Sequence, residues 1–194
     1  MNMESLKKKI LEEGKAIGTE IVKVDHFLNH QIDVSFMEEI GEEFKIRFSD
    51  CKPNKILTVE SSGIAIACET AKHFSGIPVL FAKKAAPNTL VEGYYCAPAK
   101  SFTKGIVSTL RVSKNFLGPQ DKVLIIDDFL ASGEAAVALC ELCRQGGSEV
   151  LGIGAVIEKQ FQGGGKKLRS KGYRVESLAV IKEIRDGQIF FDEE

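Results

Sequence analysis

The feature that most restricts the folds open to this chain is the run VLIIDDFLASGEA, from Val123 to Ala135. Four consecutive aliphatic residues lead into two adjacent carboxylates, and a short turn with one glycine follows. Gly133 to Gln145 then has helical composition, with Gly146-Gly147 as its stop. An unbroken aliphatic run without polar alternation fits a strand covered on both faces, which is the habit of parallel sheets. Val150 to Glu158 reads as the next buried strand. The same texture comes earlier: Lys55 to Glu60 is a short strand, Ser61-Ser62-Gly63 a turn, Ile64 to Phe74 an apolar helix and Pro78 to Ala82 a strand. Strand, helix, strand, repeated, predicts an α/β fold with a mainly parallel sheet flanked by helices. Ligands in such folds bind beyond the carboxyl ends of the strands. The residues at those ends here are Glu60-Ser61-Ser62-Gly63, Asp127-Asp128 and Glu158-Lys159.

The flanking segments are read in the same way. Ser5 to Ala16 is expected to be a helix with Leu6, Ile10 and Leu11 inward. Ser35 and Glu38 form a capping box for a second helix, whose Phe36, Ile40, Phe44 and Phe48 share one face. Lys83 to Lys104 has no clear period and is long for a connection, as lids and disordered loops are. Gly105 to Val112, Arg174 to Ile181 and Gln188 to Phe191 read as strands. At 194 residues the chain fits one domain with embellishments.

Composition narrows the partners. With 26 basic and 27 acidic residues the formal charge is -1, so no general field draws the protein to nucleic acid or an anionic membrane. No apolar run approaches the ~20 residues of a membrane span, and Met1 to Ile10 does not read as a secretion signal. Five cysteines, an odd number in a chain too large to need stapling, point to a reducing cytoplasmic setting. Cys140 and Cys143 have the spacing of a metal pair but fall in the alanine-rich helix without companions, so burial is the expected role. His26, His30 and His73 are scattered and read as surface or packing residues.

Each part of the Val123 to Ala135 run suits a step of sugar phosphate binding. A turn entering a helix presents unpaired N–H groups and the positive end of the helix dipole, which hold a phosphate without a basic patch. Ala131, Ser132, Gly133, Glu134 and Ala135 supply that turn, and the Ser132 hydroxyl adds a donor. Ionised carboxylates only accept hydrogen bonds, so Asp127 and Asp128 suit a vicinal diol, or a cation held partly through water. Glu134 is expected to point to solvent, since its charge would repel a phosphate.

On these residues the segment resembles the phosphoribosyl pyrophosphate (PRPP) motif of the type I phosphoribosyltransferases, although that motif commonly carries threonine and further small residues where this chain has Ser132, Glu134 and Ala135. The resemblance implies that fold, with Asp127 and Asp128 acting on the ribose and a second loop, Ser61, Ser62 and Gly63, gripping pyrophosphate with help from Lys83 and Lys84. It implies Mg²⁺ held mainly by PRPP and water near Asp127 and Asp128, with no direct protein ligand. It also implies a closing loop within Lys83 to Lys104, from which Tyr94, Tyr95, Ser101, Phe102, Thr103 and Lys104 reach inward. Beyond the motif, VKVDHFLNHQID from Val22 to Asp33, ESSGI, DDFLASGEA and VIEKQF from Val156 to Phe161 resemble the bacterial xanthine phosphoribosyltransferase family over nearly the full length.

That likeness implies a small hood, from about residues 1–35 and the C-terminal segment, above a core of about 36–160. It carries base contacts onto Val22, Asn29 and Lys159, with Phe161 and Phe27 as flanking aromatics or, for Phe27, hood core. The implied reaction transfers ribose 5-phosphate to xanthine in purine salvage, the implied assembly is a homodimer, and neither nucleic acid nor membrane is a partner. The alternatives are an adenine or hypoxanthine-guanine transferase, or a PRPP-sensing regulator, which would need a DNA-binding module that this chain lacks.

Overall fold

The computed structural model describes residues 3–84, 93–100 and 107–192. Helix α1 (Glu4–Glu13) leads into a small antiparallel hairpin of β1 (Lys15–Ile17) and β2 (Ile21–Lys23), a π-helical turn at Asp25–Asn29, and helix α2 (Val34–Arg47). Then come β3 (Lys55–Val59), α3 (Gly63–His73) and β4 (Val79–Ala82). A ribbon of β5 (Tyr94–Lys100) and β6 (Val107–Ser113) follows. The chain continues through β7 (Lys122–Leu130), α4 (Glu134–Gly146), β8 (Glu149–Lys159), a 3₁₀ turn at Gln160–Gln162, α5 (Gly164–Ser170), β9 (Val175–Arg185) and β10 (Gln188–Phe191).

The main sheet has the order β10-β9-β8-β7-β3-β4. Every pairing from β9 to β4 is parallel, and only the edge strand β10 runs antiparallel. The expected α/β architecture is therefore present. The C-terminal segment, expected in the hood, extends this sheet instead as β9 and β10.

One face of the sheet carries α2, α3 and the N-terminal segment, and the other carries α4 and the ribbon. The predicted face of α2 is buried: Phe36, Ile40, Phe44 and Phe48 all enter the core. Glycines on β8 make room for them. A Cβ at Gly152 would stand 2.5 Å from the Phe48 ring, and one at Gly154 would stand 2.7 Å from Phe44. Each enclosed phenylalanine contributes about 1.5–3 kcal/mol, so the glycines convert sheet surface into aromatic packing.

Several local expectations are corrected. The cap of α2 is Asp33, whose carboxylate accepts from the Phe36 N–H at 3.1 Å, because the helix begins one residue before the Ser35 to Glu38 box. In α1, Leu6 and Ile10 face inward but Leu11 is exposed. The stretch read as aperiodic contains β5. That strand alternates little because its apolar atoms come from Tyr95, Ala97 and Ala99, and α4 covers it while the Gln145 amide pairs with both backbone groups of Cys96. Cys140 and Cys143 are buried in α4 as expected, and burial raises their thiols to about 11 and about 12.

Candidate active site

Strand β7 does not stop at the acids. It continues through Phe129 and Leu130, which pair with Ile157 and Glu158 on β8. The paired carboxylates thus sit on a strand that β8 still holds beyond the end of its pairing with β3 at Ile125, and the chain then turns at Ala131 to Gly133 into α4. Gly133 occupies the left-handed region at φ 78°, which a residue with a Cβ rarely adopts. These segments border a cavity of about 400 Å³ lined by Asp127, Asp128, Phe129 and Leu130 and by the whole Ala131 to Ala136 turn.

Asp127 is buried and accepts from the Asp128 N–H at 3.0 Å, while Asp128 accepts from the Phe129 N–H at 2.9 Å. Burial first, and the neighbouring Asp128 charge second, push the Asp127 carboxyl well above the usual carboxylate range. Beneath it Gly63 lies so close that a Cβ would stand 2.1 Å from the Thr58 hydroxyl and 2.9 Å from Asp127 Oδ1. The ESSGI turn therefore needs its glycine to bring α3 under the acids. The Glu60–Ser61 peptide is cis.

The other predicted residues divide. Val22, Ser62, Lys84 and Lys159 line the same cavity. Asn29, on the π-helical turn, donates to Asp128 Oδ2 at 3.4 Å, while its own Oδ1 is buried without a partner. Lys159 donates to the Glu20 carbonyl at 2.8 Å and lies 5.2 Å over the Phe129 ring, and burial holds its ammonium below the ordinary lysine value. Ser61, which is exposed, and Gly63, which is buried against Thr58 and Asp127, do not line the cavity.

Lys83 is drawn aside, pairing by its backbone with Arg111 and reaching toward Phe81. Tyr95 packs at the opposite end of α4, against Gly146 and under Lys114, because β5 runs along that helix; it does not turn inward. Tyr94 neighbours it at the same end of the ribbon, opposite Ser113. Ser101, Phe102, Thr103 and Lys104 lie outside the described residues. Phe161 is exposed on its 3₁₀ turn and Gln162 lines the cavity in its place. Phe27 is buried in the core beneath α2, edge-on to Phe36 with ring centroids 5.9 Å apart.

Glu158, expected to wall the site, is instead a structural anchor. Its buried carboxylate takes two bonds from Arg169 at 3.1 and 2.9 Å and one from the Ser177 hydroxyl at 2.6 Å. Glu134 does not project freely into water, for Lys167 on α5 holds it at 2.7 Å.

Sequence reasoning missed three contributors. Phe129, the second residue after Asp127 in DDFLA, puts an aromatic ring on the cavity wall. Ser108 and Leu110 on β6 close one side. The triplet Gly163-Gly164-Gly165 backs the phosphate turn: the Gly164 N–H donates to the Ala131 carbonyl at 3.0 Å, and a Cβ on Gly164 would stand 2.3 Å from that oxygen. Three glycines in succession were the available signal.

Among the described residues no group of three or more histidine, cysteine or acidic side chains is arranged to hold a metal, and no helix is long and apolar enough to cross a membrane.

Comparison with known proteins agrees with this geometry. No protein-family model matches the chain. The xanthine phosphoribosyltransferase of Ruminiclostridium cellulolyticum is 50% identical over 191 residues, covering 98% of this chain and 100% of that one. Those of Moorella thermoacetica and Bacillus cytotoxicus are 51% and 52% identical, each over 97% of this chain and covering 96% and 95% of their own. Among solved structures, the adenine phosphoribosyltransferase of Rhodothermus marinus superposes with a TM-score of 0.72 at 20% identity, over 92% of this chain and 99% of that one. The enzyme of Giardia lamblia, complexed with 9-deazaadenine, gives 0.70 at 20% identity, over 93% and 97%. The structural likenesses establish the fold, and the sequence relatives establish the family.

Proposed function

The chain belongs to the xanthine phosphoribosyltransferases, and from that premise we propose that the cavity around Asp127 to Ala135 is where PRPP and the purine meet. The reaction transfers ribose 5-phosphate from PRPP to xanthine, giving XMP and pyrophosphate. One observation carries the placement: the acid pair, the phosphate turn, Val22 and Lys159 line a single cavity, with Asn29 bonded to Asp128 at its edge.

In this reading the 5-phosphate rests on the N–H groups of Ala131 to Ala135 and the start of α4, with the Ser132 hydroxyl as a further donor. The ribose diol faces Asp127 and Asp128, whose charges offset the positive sugar as the anomeric bond opens. Ser62 and Lys84 face the departing pyrophosphate, and Gly63 lets α3 approach beneath the acids. The acid pair has few positive partners, which fits a nearby divalent cation reached through water. Mg²⁺ bound to PRPP would neutralise the leaving group.

The base is placed against Phe129, with Asn29 and Lys159 at its polar edge and Val22 across from it. Xanthine presents carbonyl oxygens and readily becomes anionic, which suits a half-buried ammonium whose protein partner is a backbone carbonyl. The unpartnered Asn29 Oδ1 can accept a ring N–H. Adenine offers no carbonyl to Lys159, which is why the adenine reading ranks below this one. Family likeness further supports a homodimer working in the cytoplasm.

A rate assay with PRPP, Mg²⁺ and each purine in turn tests the base assignment. The expected outcome is XMP formation at a kcat/KM well above that for any other base. Product from adenine alone would overturn the role of Lys159, and no product from any base would favour a PRPP sensor.

A further inference from the structure

Glu134 is a hazard inside the proposed phosphate site, because it opens α4 and lines the same cavity as the turn that receives the 5-phosphate. The helix dipole favours a carboxylate in a first turn, but it favours the phosphate there too, and the two anions repel each other. Lys167 answers that problem from a separate element. Its Nζ lies 2.7 Å from Glu134 Oε1, and the two side chains are 41% and 30% exposed, so water screens the pair only in part.

Lys167 is not a loosely tethered surface lysine. It sits on α5, whose leading glycines touch the phosphate turn itself through the Gly164 N–H on the Ala131 carbonyl. The Cα of Gly164 would lie 3.1 Å from a Cβ on Gly133. The far side of α5 is fixed by Arg169 on buried Glu158, which Ser177 also holds. The lysine is therefore delivered to one place beside the phosphate turn by a braced helix.

Resting on the PRPP placement above, we infer that Lys167 is a positioning residue for the 5-phosphate: it holds the Glu134 carboxylate aside and cancels its charge, and so sets affinity for PRPP without touching the reacting atoms. The phosphate turn tolerates a glutamate only because α5 supplies this cation.

Initial rates at varied PRPP test this with four proteins: wild type, Lys167→Met, Lys167→Arg, and Lys167→Met combined with Glu134→Gln. Lys167→Met is expected to raise the KM for PRPP about fivefold with kcat within about twofold, because the lost interaction is made equally in ground and transition states. Lys167→Arg should restore the KM by replacing the cation. The double variant should restore it by removing the charge that needed cancelling. A KM unchanged in Lys167→Met overturns the inference. So does a fall in kcat matched to the KM change that the double variant fails to recover, since that marks a merely structural brace. If wild type makes no nucleotide from PRPP, the placement of PRPP itself is wrong and the inference falls with it.

Discussion

Asp127 keeps a carboxyl where ionisation is costly, buried and next to a second acid. Its raised pKa means that the fold favours the protonated form. The stability it contributes is complete below its ordinary value of 3.8 and is lost as pH rises through its higher folded value. Near neutral pH the native protein bears that cost, and Asp127→Asn removes it while keeping an oxygen to accept the Asp128 N–H. The variant should therefore melt higher than wild type at pH 7, by about 2–4 °C for each kcal/mol relieved, with the gain shrinking as pH falls toward 4. Its turnover should fall sharply, as should that of Asp128→Asn, because an amide no longer offsets the positive sugar. Thermal melts across pH beside initial rates check both; unaltered turnover in a folded Asp128→Asn protein would remove the diol role. These acids were legible in the sequence because adjacent carboxylates after a buried strand have few other uses. Phe129 was not, since an aromatic between two acids and a leucine looks like strand filler until the cavity is seen.

Helix α5 escaped sequence reading altogether. Its opening glycines disfavour a helix by propensity, and its value lies in contacts that composition does not reveal. Gly164 must lack a side chain to meet the Ala131 carbonyl, so Gly164→Ala should push α5 away from the phosphate turn. The expected result is a higher KM for PRPP and a lowered melting temperature, measured by steady-state kinetics and a thermal scan. Normal values for both would show that the turn does not depend on α5. The βαβ units were legible for the opposite reason: aliphatic runs, glycine stops and a four-residue phenylalanine period are local signals. The ribbon of β5 and β6 was half legible, since β6 alternates while β5 takes its burial from α4 and its staple from Gln145.

Across the molecule, the parallel sheet gathers the ends of β3, β7 and β8 at one edge, and the N-terminal segment folds over the same edge with Val22 and Asn29. Sequence pattern predicted the gathering and helix α1, and resemblance implied that the N-terminal segment covers the site, but the β1–β2 hairpin and the π-helical turn were not legible, because they are short elements that owe their shape to packing. The C-terminal strands were misassigned to the hood because nothing in their composition separates a sheet edge from an appended flap. In the proposed placement phosphate, ribose and purine lie in sequence along one cavity, from the start of α4 across the acids to Lys159. A crystal structure of the protein with XMP tests it most directly. The phosphate is expected on the N–H groups of Ala131 to Ala135, the diol facing Asp127 and Asp128, and the purine beside Phe129 with its oxygens toward Lys159; XMP bound elsewhere, or reversed with its base at the α4 turn, would contradict the account.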